Sequence, residues 1–369
     1  MSGIIHRRSM LKLTSILAAG FALPEGVAHA RKGQLLAFSE NTIRLTSNEN
    51  PYGPSPMARR AMADAVSQSN RYPWDVTTKL REKLGAQYGL SEDNILMGAG
   101  SSEILGLVAQ LAALNKGNAI TAAPAFSIWI PAAEKLGLTI IKVPLTEDKK
   151  HDLVSMLSQV TNETRLFYIC NPNNPTGTTL PSSVIKDTAE EVSKKSLVLI
   201  DEAYLEYTDD PSMVNIVNNN KNIIIAKTFS KIYGLAGARI GYAVAHPDTI
   251  EKLASLQPWG NAGVSTVSLA AALASLNDKA FVANSKEKNT DVKLFTQKEL
   301  SNLGIKVIPS HTNFIYYSLS NYQGNWQEAL RAKNILSSGI TEKQGQWTRT
   351  TIGTMDEMKQ FISATKTII

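Results

Sequence analysis

Seven short apolar runs stand out between residues 60 and 250: Ile95–Met97, Ala119–Ala122, Leu138–Val143, Leu166–Cys170, Leu197–Ile200, Ile223–Ala226 and Ile240–Ala245. They lack the alternation of a half-exposed strand, so each predicts a strand covered on both faces. Between them, Ser102–Leu114, Ser182–Lys194 and Asp248–Leu256 read as amphipathic helices. Strands alternating with helices predict an α/β fold whose mainly parallel sheet is flanked by helices. After about residue 265 the texture changes. Val267–Phe281 and Asp291–Leu303 predict helices, Ile305–Ile308 and Asn313–Tyr317 strands, and Trp326–Leu336 a helix with Gly339 as its C-cap. The run Trp347–Ile352 and a last helix from Asp356 complete a smaller α+β C-terminal domain. Ser47–Pro56, with three prolines and a glycine, predicts an extended crossing between lobes. The expected division is 61–260 for a large domain, 261–369 for a small one, and 31–60 for an arm that crosses to the small domain.

Length changes this picture little: 369 residues suit two domains of ordinary size. With 43% hydrophobic and 19% charged residues the chain is globular rather than disordered. Its one cysteine, Cys170, rules out an internal disulfide and argues against a zinc cluster or other metal site. The first thirty residues read as an address. Arg7-Arg8, the apolar stretch Leu13–Leu23 and Ala28-His29-Ala30 have the three-part layout of an export signal, of twin-arginine type. The stretch is too short for the ~20 residues of a membrane span. The expectation is export to the periplasm, with a cytoplasmic location as the alternative and no stable membrane insertion. The net charge of +6 falls to +4 without residues 1–30. It is spread thinly, without the basic, aromatic-interleaved runs that nucleic acid demands. A small anionic ligand suits it better.

In an open parallel sheet, ligands bind beyond the carboxyl ends of the strands. Four predicted strands end there in reactive residues. Ile95–Met97 leads into Gly98-Ala99-Gly100-Ser101-Ser102-Glu103 and a helix start, which forms an anion seat. Leu166–Cys170 leads into Asn171-Pro172-Asn173-Asn174-Pro175-Thr176-Gly177, a rigid loop of side-chain amides. Leu197–Ile200 leads into Asp201-Glu202-Ala203-Tyr204, where a buried carboxylate needs a positive partner. Ile223–Ala226 leads into Lys227-Thr228-Phe229-Ser230-Lys231, with Arg239 beyond. Singly, each fragment reads as a turn, a cap or a surface charge. Jointly they suit a phosphorylated, hydroxylated pyridine aldehyde.

With Ser47–Pro54, Arg71-Tyr72-Pro73 and Arg349–Thr354 added, these motifs resemble the fold-type I aminotransferases dependent on pyridoxal 5′-phosphate, and within them the histidinol-phosphate aminotransferase branch. The motifs follow family order over nearly all the chain, with separations of 27 from Asn174 to Asp201 and 30 from Asp201 to Lys231. The resemblance implies that Lys231 holds the cofactor covalently and then shuttles the proton. It implies that Asp201 pairs with the pyridine nitrogen and that Asn174 and Tyr204 bond the ring oxygen. Gly100, Ser101, Ser102, Ser230 and Arg239 would seat the phosphate. Tyr72 would reach the phosphate across a homodimer interface. In Pro124-Ala125-Phe126-Ser127-Ile128-Trp129, Trp129 takes the expected stacking place on the cofactor. Arg349 is expected to grip the substrate's anionic end, aided by Asn50 and Lys343, with Asn313 supporting from behind.

Two features depart from the branch. The arginine usual after its Gly-Ile/Val pair is Lys343 here, beside Glu342. Export also points to a donor outside cytoplasmic histidine synthesis. The expected activity is ping-pong transfer of an amino group between a histidinol-phosphate-like or aromatic amino compound and a 2-oxo acid such as 2-oxoglutarate. A decarboxylase or carbon–nitrogen lyase on the same fold is the alternative. A non-catalytic sensor module comes third, since it would need a DNA-binding domain.

Overall fold

The computed structural model describes residues 42–369, so the signal expected in residues 1–30 lies outside the described residues. The strands are β1 (Ile43–Leu45), β2 (Ile95–Gly98), β3 (Gly117–Ala123), β4 (Leu138–Pro144), β5 (Thr164–Cys170), β6 (Leu197–Asp201), β7 (Ile223–Thr228), β8 (Gly241–Ala245), β9 (Val307–Ile308), β10 (Phe314–Ser318), β11 (Ile335–Ser337), β12 (Ile340–Glu342) and β13 (Trp347–Thr351). Each of the seven apolar runs is one strand of a seven-stranded sheet, ordered β2-β8-β7-β6-β5-β3-β4. β8 alone runs antiparallel to its neighbours.

Both faces of this sheet are dry, which explains the missing alternation. On one face lie Met97, Ile120, Phe167, Ile169, Ile200 and Ile225. On the other lie Leu96, Ala119, Leu166, Tyr168, Leu199 and Ile224, covered by helix Ser101–Ala113 through Ile104, Leu105 and Val108. A four-stranded antiparallel sheet, β12-β13-β10-β9, packs with helices Lys279–Asn302 and Met355–Ile368 around Leu45, Tyr317, Trp326 and Phe361. Both sheets belong to one compact unit, Ile43–Ile369. No helix among the described residues is long and apolar enough to cross a membrane.

Two expectations for the C-terminal part are corrected. The first helix there covers Thr266–Ser275 and the next runs unbroken over Lys279–Asn302. Asp278 separates them by accepting the Phe281 amide at 3.1 Å, a cap set in the polar stretch Asn277-Asp278-Lys279. The helix expected over Trp326–Leu336 stops at Arg331, and Gly339 caps nothing. Asn334 turns the chain at φ +60°, and Ile335–Ser337 pairs in parallel with β1. That partner lies almost 300 residues earlier, beyond the reach of a local pattern.

The segment 46–55 links β13 of the smaller sheet to the segment that follows β7 of the larger one. The Asn48 amide donates to Thr351 Oγ1 of β13 at 2.9 Å, while Asn50 Nδ2 donates to the Ile232 carbonyl at 2.8 Å. Its crossing is close: a Cβ on Gly234, at φ +70°, would stand 2.1 Å from the Gly53 carbonyl oxygen. Only glycine allows two backbones that approach.

Candidate active site

Period two in β6 sends its last residue, Asp201, to the face of Leu199, beside Tyr168 and Cys170 of β5. Glu202 turns to the opposite face, where Lys227 Nζ stands 3.0 Å from Glu202 Oε2 and 3.0 Å from Glu206 Oε1. One of two adjacent buried carboxylates is thus neutralised by the fold. Asp201 is the other, 1% exposed and in no ion pair among the described residues. Its Oδ2 accepts from Tyr168 OH at 2.9 Å and its Oδ1 from the Ala203 amide at 3.1 Å. Burial pushes its carboxyl up to about 6, against those donors and the nearby Lys231 charge.

A cleft of about 370 Å³ opens at these strand ends, within the ~300–1,000 Å³ usual for small-molecule sites. Asp201, Lys231, Asn174, Tyr204, Ser101, Ser102, Ser230, Arg239 and Arg349 all line it. Lys231 Nζ donates to the Ser47 carbonyl at 3.3 Å and lies 5.4 Å from the Tyr204 ring centre. Burial brings its amine down to about 8. The Arg349 and Arg239 charges act the same way, with Glu49 and Asp201 opposing. Tyr204 OH accepts from Asn48 Nδ2 at 2.9 Å and from Asn174 Nδ2 at 3.3 Å. Arg349 donates through Nη1 to Asn174 Oδ1 and through Nη2 to the Thr46 carbonyl, both at 2.6 Å, and its buried Nε has no partner.

The opposite end is built for an anion. Gly100, at φ +83°, precedes the helix opened by Ser101 and Ser102. A Cβ on Gly100 would stand 2.5 Å from Arg239 Nη2, which donates to the Ala99 carbonyl at 3.0 Å. Arg239 holds a φ of +53°, costly for a non-glycine residue at roughly 1–3 kcal/mol, and Asn48 a φ of +54°, which asparagine tolerates. Such strain concentrates where side chains must face a ligand.

Three expected residues, Trp129, Asn50 and Lys343, lie away from the cleft, while Tyr72 is expected to serve the cleft of a partner and not this one. Trp129 does not reach the cleft: it begins helix Ile130–Lys135, is 1% exposed, and packs edge-on against Tyr168 at 5.3 Å. The turn into that helix swings the indole under the sheet, and Phe126 is the ring that lines the cleft. Asn50 is absent from the lining because its amide is spent on the Ile232 carbonyl and the Tyr52 amide. Lys343 is exposed in the turn between β12 and β13, and Glu342 beside it is held by Lys149 at 2.6 Å. Tyr72 is exposed and stacks on Trp74, outside the cleft formed by this chain. Asn313 supports from behind as expected, donating to the Asn48 and Glu49 carbonyls at 3.0 and 3.2 Å. Sequence reasoning missed Asn48, Phe126 and Tyr168. The first two lie inside motifs already singled out, but Tyr168 sits in a plain apolar run and gave no signal.

These residues fit pyridoxal 5′-phosphate on two observations. A buried carboxylate without a cation suits a protonated pyridine nitrogen, and a cradle in which Gly100 turns at φ +83°, with the Arg239 guanidinium against it, leaves amides, hydroxyls and Arg239 for a phosphate. The lowered amine carries a prediction. Apo-protein should take up the cofactor about tenfold faster per pH unit up to pH ~8 and level off above, because only the neutral amine attacks an aldehyde. Stopped-flow absorbance between pH 6 and 9.5 reads this, and a plateau beginning only near pH 10 would contradict the buried setting of Lys231.

Residues 40–364 match the family described as aminotransferase class I and II. A histidinol-phosphate aminotransferase of Moorella thermoacetica is 37% identical over 341 residues, covering 89% of this chain and 86% of the relative. One from Halalkalibacterium halodurans is 35% identical over 329 residues, 88% of each chain. The crystal structure of histidinol-phosphate aminotransferase from Sinorhizobium meliloti in complex with pyridoxal 5′-phosphate superposes with a TM-score of 0.79 at 26% identity, covering 89% of this chain and 90% of that one. Likeness over nearly the whole described fold, joined to a cleft of this chemistry, means that the chain belongs to the class I and II aminotransferases, in the histidinol-phosphate aminotransferase branch, with pyridoxal 5′-phosphate as cofactor.

Proposed function

We propose that this cleft moves an amino group between histidinol phosphate, or an aromatic amino compound of like shape, and a 2-oxo acid of the 2-oxoglutarate type. The observation that carries the reading is the convergence of Asp201, Lys231, Asn174 and Tyr204 on one cleft, with an anion seat at one end and Arg349 at the other. Next to it lies a cavity of about 750 Å³ that shares Phe126, Asn174 and Arg349 and has Pro124, Ala125, Ile128 and Pro131 as apolar walls. A flat ring suits those walls, and the Arg349 fork suits a carboxylate or phosphate.

When bound, pyridoxal 5′-phosphate supplies an aldehyde for the donor's amino group and a ring that accepts the electron pair released at the α-carbon. Gly100, Ser101, Ser102, Ser230 and Arg239 would hold its phosphate, Asn174 and Tyr204 its ring oxygen, and Asp201 its pyridine nitrogen. Lys231 would hold the aldehyde covalently before the donor binds, and its neutral amine, once free, would take the donor's α-proton and deliver it to the former aldehyde carbon. Arg349 and Asn174 orient the donor, and Phe126 excludes water from above the cleft.

A panel of amino donors against 2-oxoglutarate, read as glutamate formed, tests the reading. Turnover of histidinol phosphate or of an aromatic amino acid supports it. Release of CO2 or ammonia without a 2-oxo acid would favour a decarboxylase or lyase. Arg349→Lys should raise the donor KM by about 10–100-fold with kcat changed only a few-fold, since an ammonium loses the two-pronged grip. Steady-state kinetics with the best donor checks it.

The active unit is proposed to be a homodimer. Tyr72, Trp74 and Trp259 are 68%, 41% and 54% exposed, with ring centres 4.8–5.7 Å apart, an apolar cluster unusual on a free surface. Sedimentation should give a dimer, and Trp74→Ala with Trp259→Ala should shift it toward monomer and weaken cofactor retention. Export through the twin-arginine route is proposed from Arg7-Arg8 and the apolar stretch behind them. Fractionation of cells making the full chain and an Arg7→Lys/Arg8→Lys variant tests it.

A further inference from the structure

Tyr168 is fully buried, and its hydroxyl has Asp201 Oδ2, at 2.9 Å, as its partner. Register pairs Cys170, not Tyr168, with Asp201, so the phenol reaches the carboxylate along the diagonal between β5 and β6. Trp129 packs edge-on against the Tyr168 ring at 5.3 Å and leaves it little freedom to turn away. The groups facing Asp201 are Tyr168 and Cys170 from β5, Glu202 beside it in the chain, Lys231 from the segment after β7, and Tyr204. Cys170 directs its thiol to the Pro172 carbonyl and Glu202 is tied to Lys227. Tyr204 receives the amides of Asn48 and Asn174. Tyr168 is therefore the side chain that donates to the Asp201 carboxylate.

We infer that Tyr168 is a positioning residue for the reaction: its hydroxyl aims the Asp201 carboxylate and stabilises its charge, so that the proton shared with the cofactor stays on the pyridine nitrogen. The inference rests on the reading of Asp201 as the partner of that nitrogen. A hydrogen bond to a charged, buried acceptor is worth more than an ordinary one, and its loss is felt by whatever the acceptor holds on its other side. Trp129, behind the phenol, becomes the support of this arrangement.

Tyr168→Phe keeps the ring and its packing and removes only the donor. Holoenzyme made with cofactor labelled with 15N at the pyridine position reports the proton directly. The expected result is a 15N resonance displaced toward the unprotonated position and a kcat lowered about tenfold with KM unchanged. Replacement of Tyr168 by 3-fluorotyrosine, a stronger donor of nearly the same shape, should hold the protonated resonance to higher pH than wild type, and stands in if the Phe variant folds poorly. A merely structural tyrosine would alter thermal stability and leave the resonance in place. Asp201→Asn separates the two levels. If Asp201→Asn moves the resonance and neither Tyr168 variant does, the inference on Tyr168 fails alone. If Asp201→Asn leaves the nitrogen protonated, the reading of Asp201 fails and this inference falls with it.

Discussion

Lys231→Ala should lower the rate of glutamate formation by about 10⁴-fold, at the upper end of what one acid–base group contributes. The loss is large because one amine serves twice, in covalent capture and in proton transfer. No other lysine among the described residues lines the cleft. Substrate recognition should survive, since Arg349 and Asn174 are held by each other and by the Thr46 carbonyl. Borohydride treatment of holoenzyme followed by peptide mass analysis should place the cofactor's mass on the peptide bearing Lys231 and on no peptide of the variant. A variant that kept a hundredth of the rate would mean that another base does the work.

Asp201→Asn should cost about 10²–10³-fold in kcat, the range for removing one preorganised electrostatic partner, with donor KM within a few-fold. Its effect on the apo-protein should have the opposite sign. In the folded chain the Asp201 carboxyl lies near 6, above the ordinary carboxylate value. A raised folded value means that the contribution to stability is intact below pH ~4 and is lost as pH rises through 6. Above pH 7 the buried charge costs on the order of 2–3 kcal/mol. Apo Asp201→Asn should therefore melt no lower than wild type at pH 8, with the advantage gone by pH 4. Cofactor should reverse the order at pH 8. Thermal unfolding of both forms at the two pH values decides it, and an apo variant less stable at pH 8 would show that the charge is already compensated within the chain.

Much of this site was legible in the sequence because its residues follow the ends of strands that bury both faces. An apolar run such as Ile223–Ala226 has no use for Thr228, Ser230 or Lys231 unless something lies beyond its end. The mainly parallel sheet, the helix opened by Ser101 and the cleft at Asp201 all follow from that logic, whereas the reversed direction of β8 does not. What escaped depends on distant partners or on the direction of one turn. Ile335–Ser337 looks like the end of a helix until β1 arrives to pair with it. Phe126 and Trp129 are three residues apart, and which of them meets the cleft depends on how the chain enters helix Ile130–Lys135. Lys343 is expected at the substrate on the strength of the resemblance, yet the turn between β12 and β13 carries it outward. Tyr168 is a donor hidden in a run of hydrophobes, and only the diagonal across two strands discloses its partner.

The pairing of β1 with β11 has a consequence for biosynthesis. The seven-stranded sheet is complete in the nascent chain once residue 245 has left the ribosome, but Arg349 emerges about a hundred residues later. At ~5–20 residues per second that interval is on the order of ten seconds. Throughout it the polypeptide carries the lysine, the acid and the anion seat without the arginine or the strand that anchors its own beginning. Premature termination in that window would yield a species able to sequester the coenzyme and unable to turn over any donor, so quality control has reason to act on chains lacking their last 21 residues or more.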